Sequence, residues 1–191
     1  MKITETTGDE KVMYADIISQ YKVFIDKIQK GDFNIEEELE FLTPSKLIIG
    51  RGGDNKAALN TETTTSSKTM VMDEGCLIIK CVHKGDIYLL KKIKSILENM
   101  GLENVSLSET NDILIDGKKV CGSSHVSGTK YSFEMCCLTI STDINLIYSK
   151  LPETEQKRVQ DDSIRNIRMF KEDFNKQKFI NEMKENKKLK V

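Results

Sequence analysis

The chain of 191 residues carries 31% charged and 38% hydrophobic residues and a formal net charge of -1. That balance fits one globular domain with room for a core, and it lacks the basic excess of a nucleic-acid binder. No run of about 18 apolar residues occurs, so a membrane-spanning helix is excluded, and the polar start M-K-I-T-E-T-T-G-D-E lacks the apolar stretch of a secretory signal, so the expected location is the cytoplasm.

In chain order, Glu10–Gln29 is predicted to be a helix. Met13, Ile17, Tyr21, Phe24 and Ile28 form one apolar stripe, and Gly31 is placed to stop it. A short acidic helix is predicted next, capped by Asn34 with Glu37 three residues on, and closed by Pro44. Leu47–Ile49 reads as a buried strand before Gly50, and the polar tract Thr61–Thr69 buries little apolar surface and reads as a mobile loop. Cys76–Val82 is a strand. Asp86 caps the following helix, whose Ile87, Leu90, Ile93, Leu97 and Met100 share a face and which Gly101 ends.

Asp112–Val126 predicts a β-hairpin turning at Asp116-Gly117. Phe133–Ile140 is a further strand, and Asp143 starts a helix through Leu146, Ile147 and Leu151 that ends at Pro152. Beyond Glu153 the chain is charged, with Val159, Ile164, Ile167, Phe170 and Phe174 predicting helices on a core and a frayed basic end. The expected class is α+β, a mixed and largely antiparallel sheet flanked by helices, with a charged helical C-terminus.

The five cysteines, Cys76, Cys81, Cys121, Cys136 and Cys137, are odd in number in a chain without an export signal, so free thiols are expected. The four-residue gap between Cys76 and Cys81 is wider than the common zinc spacing and has no matching second pair, so no metal site is predicted.

The most informative stretch is Asn111–Ser124, N-D-I-L-I-D-G-K-K-V-C-G-S-S. As a bare hairpin it needs no function. Its residue order, however, resembles the signature of lipoate–protein ligases and octanoyltransferases: N-D, three apolar residues, x-G-(K/R)-K, an apolar residue, then x-G-S-A. Biotin–protein ligases share a looser form. Met135–Asp143, M-C-C-L-T-I-S-T-D, is similar to the family's H-G-x-L-L-(apolar)-N-x-D, and Leu47–Asn60, L-I-I-G-R-G-G-D-N-K-A-A-L-N, to its I-G-R-x-Q-N-x-x-x-E-V-N segment. Met72–Leu77, M-D-E-G-C-L, resembles H-D-x-G-x-L. The resemblance covers 47–152, read as the family-like core of a single domain, with 153–191 as a charged helical extension.

The resemblance implies acyl transfer to a lysine of a lipoyl-type carrier domain. Ligases activate lipoate or a fatty acid with ATP and Mg²⁺ as an acyl-adenylate. Transferases need neither, and take octanoyl from an acyl-carrier domain through a cysteine thioester. The lysine before the apolar-x-G element, here Lys119, would point into the active site, where an ammonium can bind a carboxylate, carbonyl or phosphate. Lys118, one residue earlier on the strand, is expected to face away. Gly122 would allow close approach, with Ser123 beside it. Asn111 and Asp112 match the family's pair on the nucleotide and metal side.

The chain also departs from the pattern. Where ligases carry R-R-x-x-G-G-G-x-V-x-H-D, which cradles the acyl chain and phosphates, it has E-T-T-T-S-S-K-T-M-V-M-D, keeping Met70 and Asp73 in kind; the resemblance implies Asp73, and Lys68 as one charge, on the substrate- and nucleotide-binding side. Met135-Cys136 replaces the usual H-G pair, and His125 stands where the family often has Gln or Tyr. Two readings follow. Either Cys136 or Cys137 acts as a thioester nucleophile with His125 as base, or the cysteines are small core residues. Likewise, the domain either works as an acyltransferase or ligase, or keeps the fold as a catalytically degenerate module that binds a small molecule or a protein. A substantial accessory domain, which some ligases use for adenylation, has no room in this length, and that leans toward transferase or non-ligase roles.

Overall fold

A computed structural model describes residues 1–8, 36–44, 48–51, 69–85, 89–127, 130–150 and 163–185, with residues 23, 26, 27, 153 and 156. Its strands are β1 (Lys2–Gly8), β2 (Glu38–Pro44), β3 (Ile48–Arg51), β4 (Thr69–Met72), β5 (Cys76–Lys84), β6 (Val105–Leu107), β7 (Ile113–Ile115), β8 (Lys118–Ser127) and β9 (Tyr131–Thr139). Helix α1 (Leu89–Asn99) follows β5, α2 (Ile144–Lys150) follows β9, and a short turn at Ile167–Met169 leads to α3 (Lys176–Glu185). Seven strands form one sheet in the order β1-β2-β5-β9-β8-β7-β6, and β3 and β4 form a separate antiparallel pair. Among the described residues, only β1 and β2 run parallel within the large sheet. The class is therefore the expected one, a mixed and largely antiparallel sheet with helices.

The strand alternation divides the sheet into two faces. Leu39, Phe41, Leu77, Ile79, Cys81, Cys136 and Leu138 lie on one. They form a single buried cluster with Leu89, Ile93, Ile96 and Leu97 of α1 and with Phe179, Ile180 and Met183 of α3. Leu42, Ile78, Lys80, Met135 and Cys137 occupy the alternate positions and belong to the other face.

Several local expectations meet their physical counterparts. Asp116 and Gly117 both have left-handed φ, 49° and 72°, as a two-residue turn joining right-twisted strands requires. Asp143 Oδ1 accepts the Leu146 N–H at 2.9 Å and so caps α2. Gly101 has φ 86°, and the bonds from Leu102 N–H to the Leu97 carbonyl and from Gly101 N–H to the Glu98 carbonyl close α1 in a Schellman motif.

The acidic helix expected after Asn34 is not formed; its later part is β2. Leu39 and Phe41 alternate with Glu38 and Glu40, a period of two, and pairing with β5 and β1 outweighs the local capping signal. Of the helix predicted at Glu10–Gln29, the described residues Val23, Asp26 and Lys27 are helical. The Asn34 cap, the Asp86 cap and most of the Thr61–Thr69 tract lie outside the described residues. At α1, Glu134 of β9 supplies acceptors for the first N–H: both its oxygens accept from Leu89, at 3.1 and 3.0 Å. Beyond Ser163 the helical expectation gives way to the Ile167–Met169 turn, followed by α3, with Ile167 and Phe174 fully buried.

Candidate functional site

The β7–β8 hairpin builds the site from its two open ends. Before β7 the chain turns at Asn111, whose φ of 59° is a left-handed conformation that Asn adopts more readily than most residues. Ser108 organises the turn. Its Oγ accepts the Thr110 and Asp112 N–H groups at 3.2 and 3.0 Å, and its own N–H donates to the Asp112 carbonyl at 3.0 Å. Asp112 is thereby presented to β8, where its Oδ2 lies 3.0 Å from Lys119 Nζ and accepts the Thr110 hydroxyl at 3.1 Å. The Ser123 hydroxyl donates to the Asn111 carbonyl at 2.6 Å and ties the turn to β8.

A bulge sets the direction of Lys119. Ile113 faces Cys121 and Leu114 faces Lys119, so Val120 is an extra residue in β8. Val120 and Cys121 consequently both enter the core, at 0% and 1% exposure, and Lys119 and Gly122 share the opposite face. A Cβ on Gly122 would lie 3.5 Å from Lys119 Cε and 3.7 Å from its Nζ, so the lysine stem crosses the bare backbone of the glycine. The ammonium and its carboxylate partner keep 21% and 16% side-chain exposure, enough for a ligand atom to reach them.

Gly122 is paired with Cys137, Cys137 with Ile78 and Ile78 with Leu42, which makes a row across the sheet beside Lys119. The next row on this face is Ser124, Met135, Lys80 and Glu40. Lys80, with a side chain 1% exposed, places its ammonium 2.5 Å from Glu40 and 3.4 Å from Glu38. Sequence reasoning missed this buried lysine and its two half-buried glutamates. Its signal was the single charge within the apolar strand C-L-I-I-K-C-V.

Asn111, Asp112, Lys119, Gly122 and Ser123 thus come together. Cys137 is half-buried on the same face as Lys119 and Gly122. Its hydrogen bond with Cys76, together with burial, pushes its thiol well above the ordinary range. Cys136 lies on the helix-packed face within the core cluster, and burial pushes its thiol well up. His125 pairs with Glu134, two residues before Cys136, on that same face. The sheet therefore stands between Lys119 on one side and Cys136 and His125 on the other, and His125 is not placed as a base for Cys137. A thiol held protonated is a poor nucleophile.

Asp73 is buried and its carboxylate is engaged by backbone: Oδ1 accepts the Gly75 N–H at 2.9 Å and Oδ2 the Asp143 N–H at 2.8 Å. It ties the start of β5 to the start of α2. Lys68 lies outside the described residues. Among the described residues no group of three or more His, Cys, Asp or Glu side chains is placed to hold a metal ion, and no helix is long and apolar enough to cross a membrane.

Comparison with known proteins places this arrangement. No curated protein matches the chain by sequence. Among solved structures, a bi-partite lipoate protein ligase from Thermoplasma acidophilum, studied with its E2 lipoyl domain, superposes with a TM-score of 0.65 at 17% identity, covering 96% of this chain and 80% of that one. Lipoate-protein ligase A bound with ATP gives 0.62 at 15% identity, with 95% and 81% covered. The P. falciparum LipL1 structure in complex with lipoate gives 0.65 at 12%, with 96% and 60% covered. At these identities the likeness is one of fold. The family model of the lipoyl protein ligase A/B catalytic domain matches residues 68–187, more than half of the chain and the whole of the Lys119 hairpin. The chain belongs to the lipoyl protein ligase A/B catalytic-domain family.

Proposed function

We propose that this domain transfers an acyl group, lipoate or a related fatty acid, to a lysine of a lipoyl-type carrier domain, with Lys119 meeting the acyl carbonyl or phosphate. The observation that carries this reading is the Lys119 ammonium held over Gly122 by Asp112 on a face with open side-chain surface. There it can stabilise negative charge that develops as the acyl bond is exchanged. Asn111, Asp112, Gly122 and Ser123 frame the place where that charge would form.

Burial pushes the Cys136 thiol up, and the Cys76 hydrogen bond with burial pushes the Cys137 thiol up, which argues against either of these two as a thioester nucleophile; the adenylate route needs no thiol. That route uses ATP, which supplies the leaving group for the acyl acid, and Mg²⁺. Magnesium is commonly held by one or two carboxylates together with substrate phosphates, and Asp112, beside Lys119, is the carboxylate that would share it. An acyl-carrier partner and no added cofactor belong to the transferase alternative. The tract E-T-T-T-S-S-K-T, which lacks the ligase glycines, favours the second reading, a degenerate module that binds a ligand or a protein without turnover.

The test is lipoylation of a lipoyl domain with lipoate, ATP and Mg²⁺, and octanoyl transfer from an acyl-carrier domain, by wild type and by Lys119→Ala. Loss of about 100-fold in turnover is expected on removing the lysine, a typical cost for one charge-stabilising group. Turnover that Lys119→Ala leaves unchanged would sink the site. If wild type turns over neither substrate, the binding module becomes the reading, to be examined by thermal shift with lipoate, octanoate, biotin and ATP.

A further inference from the structure

The bulge that aims Lys119 exposes two main-chain carbonyls, and both are satisfied by residues far away in sequence. The Arg165 N–H donates to the Lys119 carbonyl at 2.8 Å. The Thr139 hydroxyl, at the end of β9, lies 3.0 Å from the carbonyl of the bulged Val120 and 2.7 Å from the Arg165 carbonyl. One hydroxyl proton is thus shared between the bulge and the segment 163–167. That segment is itself pinned. Asn166 Oδ1 accepts the Thr142 N–H at 3.0 Å while its Nδ2 donates to the Thr142 carbonyl at 2.8 Å, and Ile167 is fully buried. Ser163, where the segment begins, has a left-handed φ of 49°, a conformation a non-glycine residue keeps only where its surroundings hold it.

We infer that Thr139 and Asn166 are positioning residues for Lys119, acting through a strap, 163–167, that fixes the backbone of the β8 bulge. The inference rests on the proposed role of Lys119 and adds what sets its geometry. A lysine that must meet a developing charge depends on where its Cα stands. A displacement of about 1 Å at a reacting group can cost on the order of 100-fold in rate. Removing the Thr139 hydroxyl leaves the Val120 and Arg165 carbonyls without their donor and frees the bulge to shift, while the substrate-facing side chains remain.

The test uses the full chain with lipoate, ATP, Mg²⁺ and a lipoyl domain, assayed well below the melting temperature. Thr139→Val keeps the shape and the β-branched side chain and loses only the hydroxyl. It is expected to lower kcat about tenfold with KM for lipoate within twofold of wild type, and Thr139→Ser is expected to restore kcat. Hydrogen exchange at the Arg165 amide should quicken in Thr139→Val. Asn166→Ala, which loosens the other end of the strap, should repeat the kcat loss and serves if Thr139→Val fails to fold. Because the strap acts through the lysine, adding Thr139→Val to Lys119→Ala should cost no further activity. A Thr139→Val enzyme with wild-type kcat, or a loss that multiplies on the Lys119→Ala background, overturns the inference. A Lys119→Ala enzyme with full turnover instead overturns the reading of the lysine on which the inference stands.

Discussion

Lys92 shows at a single residue what burial does to a charge. It sits on α1 among Leu89, Leu90, Ile93, Ile96 and Leu97 and is 3% exposed. Burial holds its ammonium below the ordinary lysine range. Its folded pKa therefore lies below its unfolded one. Between those two values the unfolded chain binds more protons, and stability rises as pH rises through that interval. Lys92→Met keeps the apolar stem that the site packs and removes the desolvated charge. It is expected to stabilise the protein by about 1 kcal/mol at neutral pH and to flatten the rise toward a pH of about 10. Urea denaturation of both proteins at neutral and alkaline pH measures this, and a variant less stable than wild type at neutral pH would mean the ammonium has a favourable partner. Asp73 is the opposite case. A carboxylate read from its motif position as belonging to the ligand side has both oxygens taken up by the N–H groups of Gly75 and Asp143. The Gly75 bond is local, but nothing in M-D-E-G-C-L marks the second, because Asp143 lies 70 residues further along the chain.

At the scale of elements, the turns carry a prediction of their own. A Cβ on Gly75 would stand 2.4 Å from the Ser141 carbonyl carbon and from the Thr142 nitrogen, both backbone atoms that cannot swing aside. The same glycine carbonyl accepts the Ile140 and Ser141 N–H groups, so any shift there strains the junction of β9 and α2. Gly75→Ala is expected to destabilise by about 3 kcal/mol, the upper part of the range for overpacking. Gly85, with open space around its missing Cβ but φ 91°, should lose only about 1 kcal/mol as Ala. Equal losses in the two variants by chemical denaturation would mean that the contact with Ser141 is relieved by movement. The elements the sequence made legible share a local cause. Asp116-Gly117 turns the hairpin, Gly101 closes α1 and Asp143 opens α2 through chemistry confined to a few residues. The failures are non-local. β2 is a strand because β1 and β5 flank it, the first N–H of α1 is met by Glu134, and the Val120 bulge is defined only by the register of β7.

For the whole molecule, the question is where the domain ends. The N-D…G-K-K-V-x-G-S motif was readable as a candidate cluster because one hairpin and its preceding turn bring Asn111, Asp112, Lys119, Gly122 and Ser123 together. The contacts around it were not, since Thr139 and Arg165 meet the bulge, and Asn166 meets Thr142, only through the closed fold. Residues beyond 152, charged and sparse in apolar side chains, contribute Ile167, Phe174, Phe179, Ile180 and Met183 to the same cluster as the sheet and α1. Each such side chain is worth roughly 2 kcal/mol when fully buried, so the five together amount to roughly 10 kcal/mol, against a total stability of about 5–15 kcal/mol for a typical domain. Removing the segment also withdraws the Arg165 N–H from Lys119 and uncovers one face of α1. A chain ending at Gln160 is therefore expected to show no cooperative thermal unfolding and to expose apolar surface to a hydrophobic dye, as a loosely packed state does. A truncated chain that melts cooperatively within a few degrees of the intact protein would mean that the sheet and α1 close a core by themselves, and that the C-terminal residues serve the site alone.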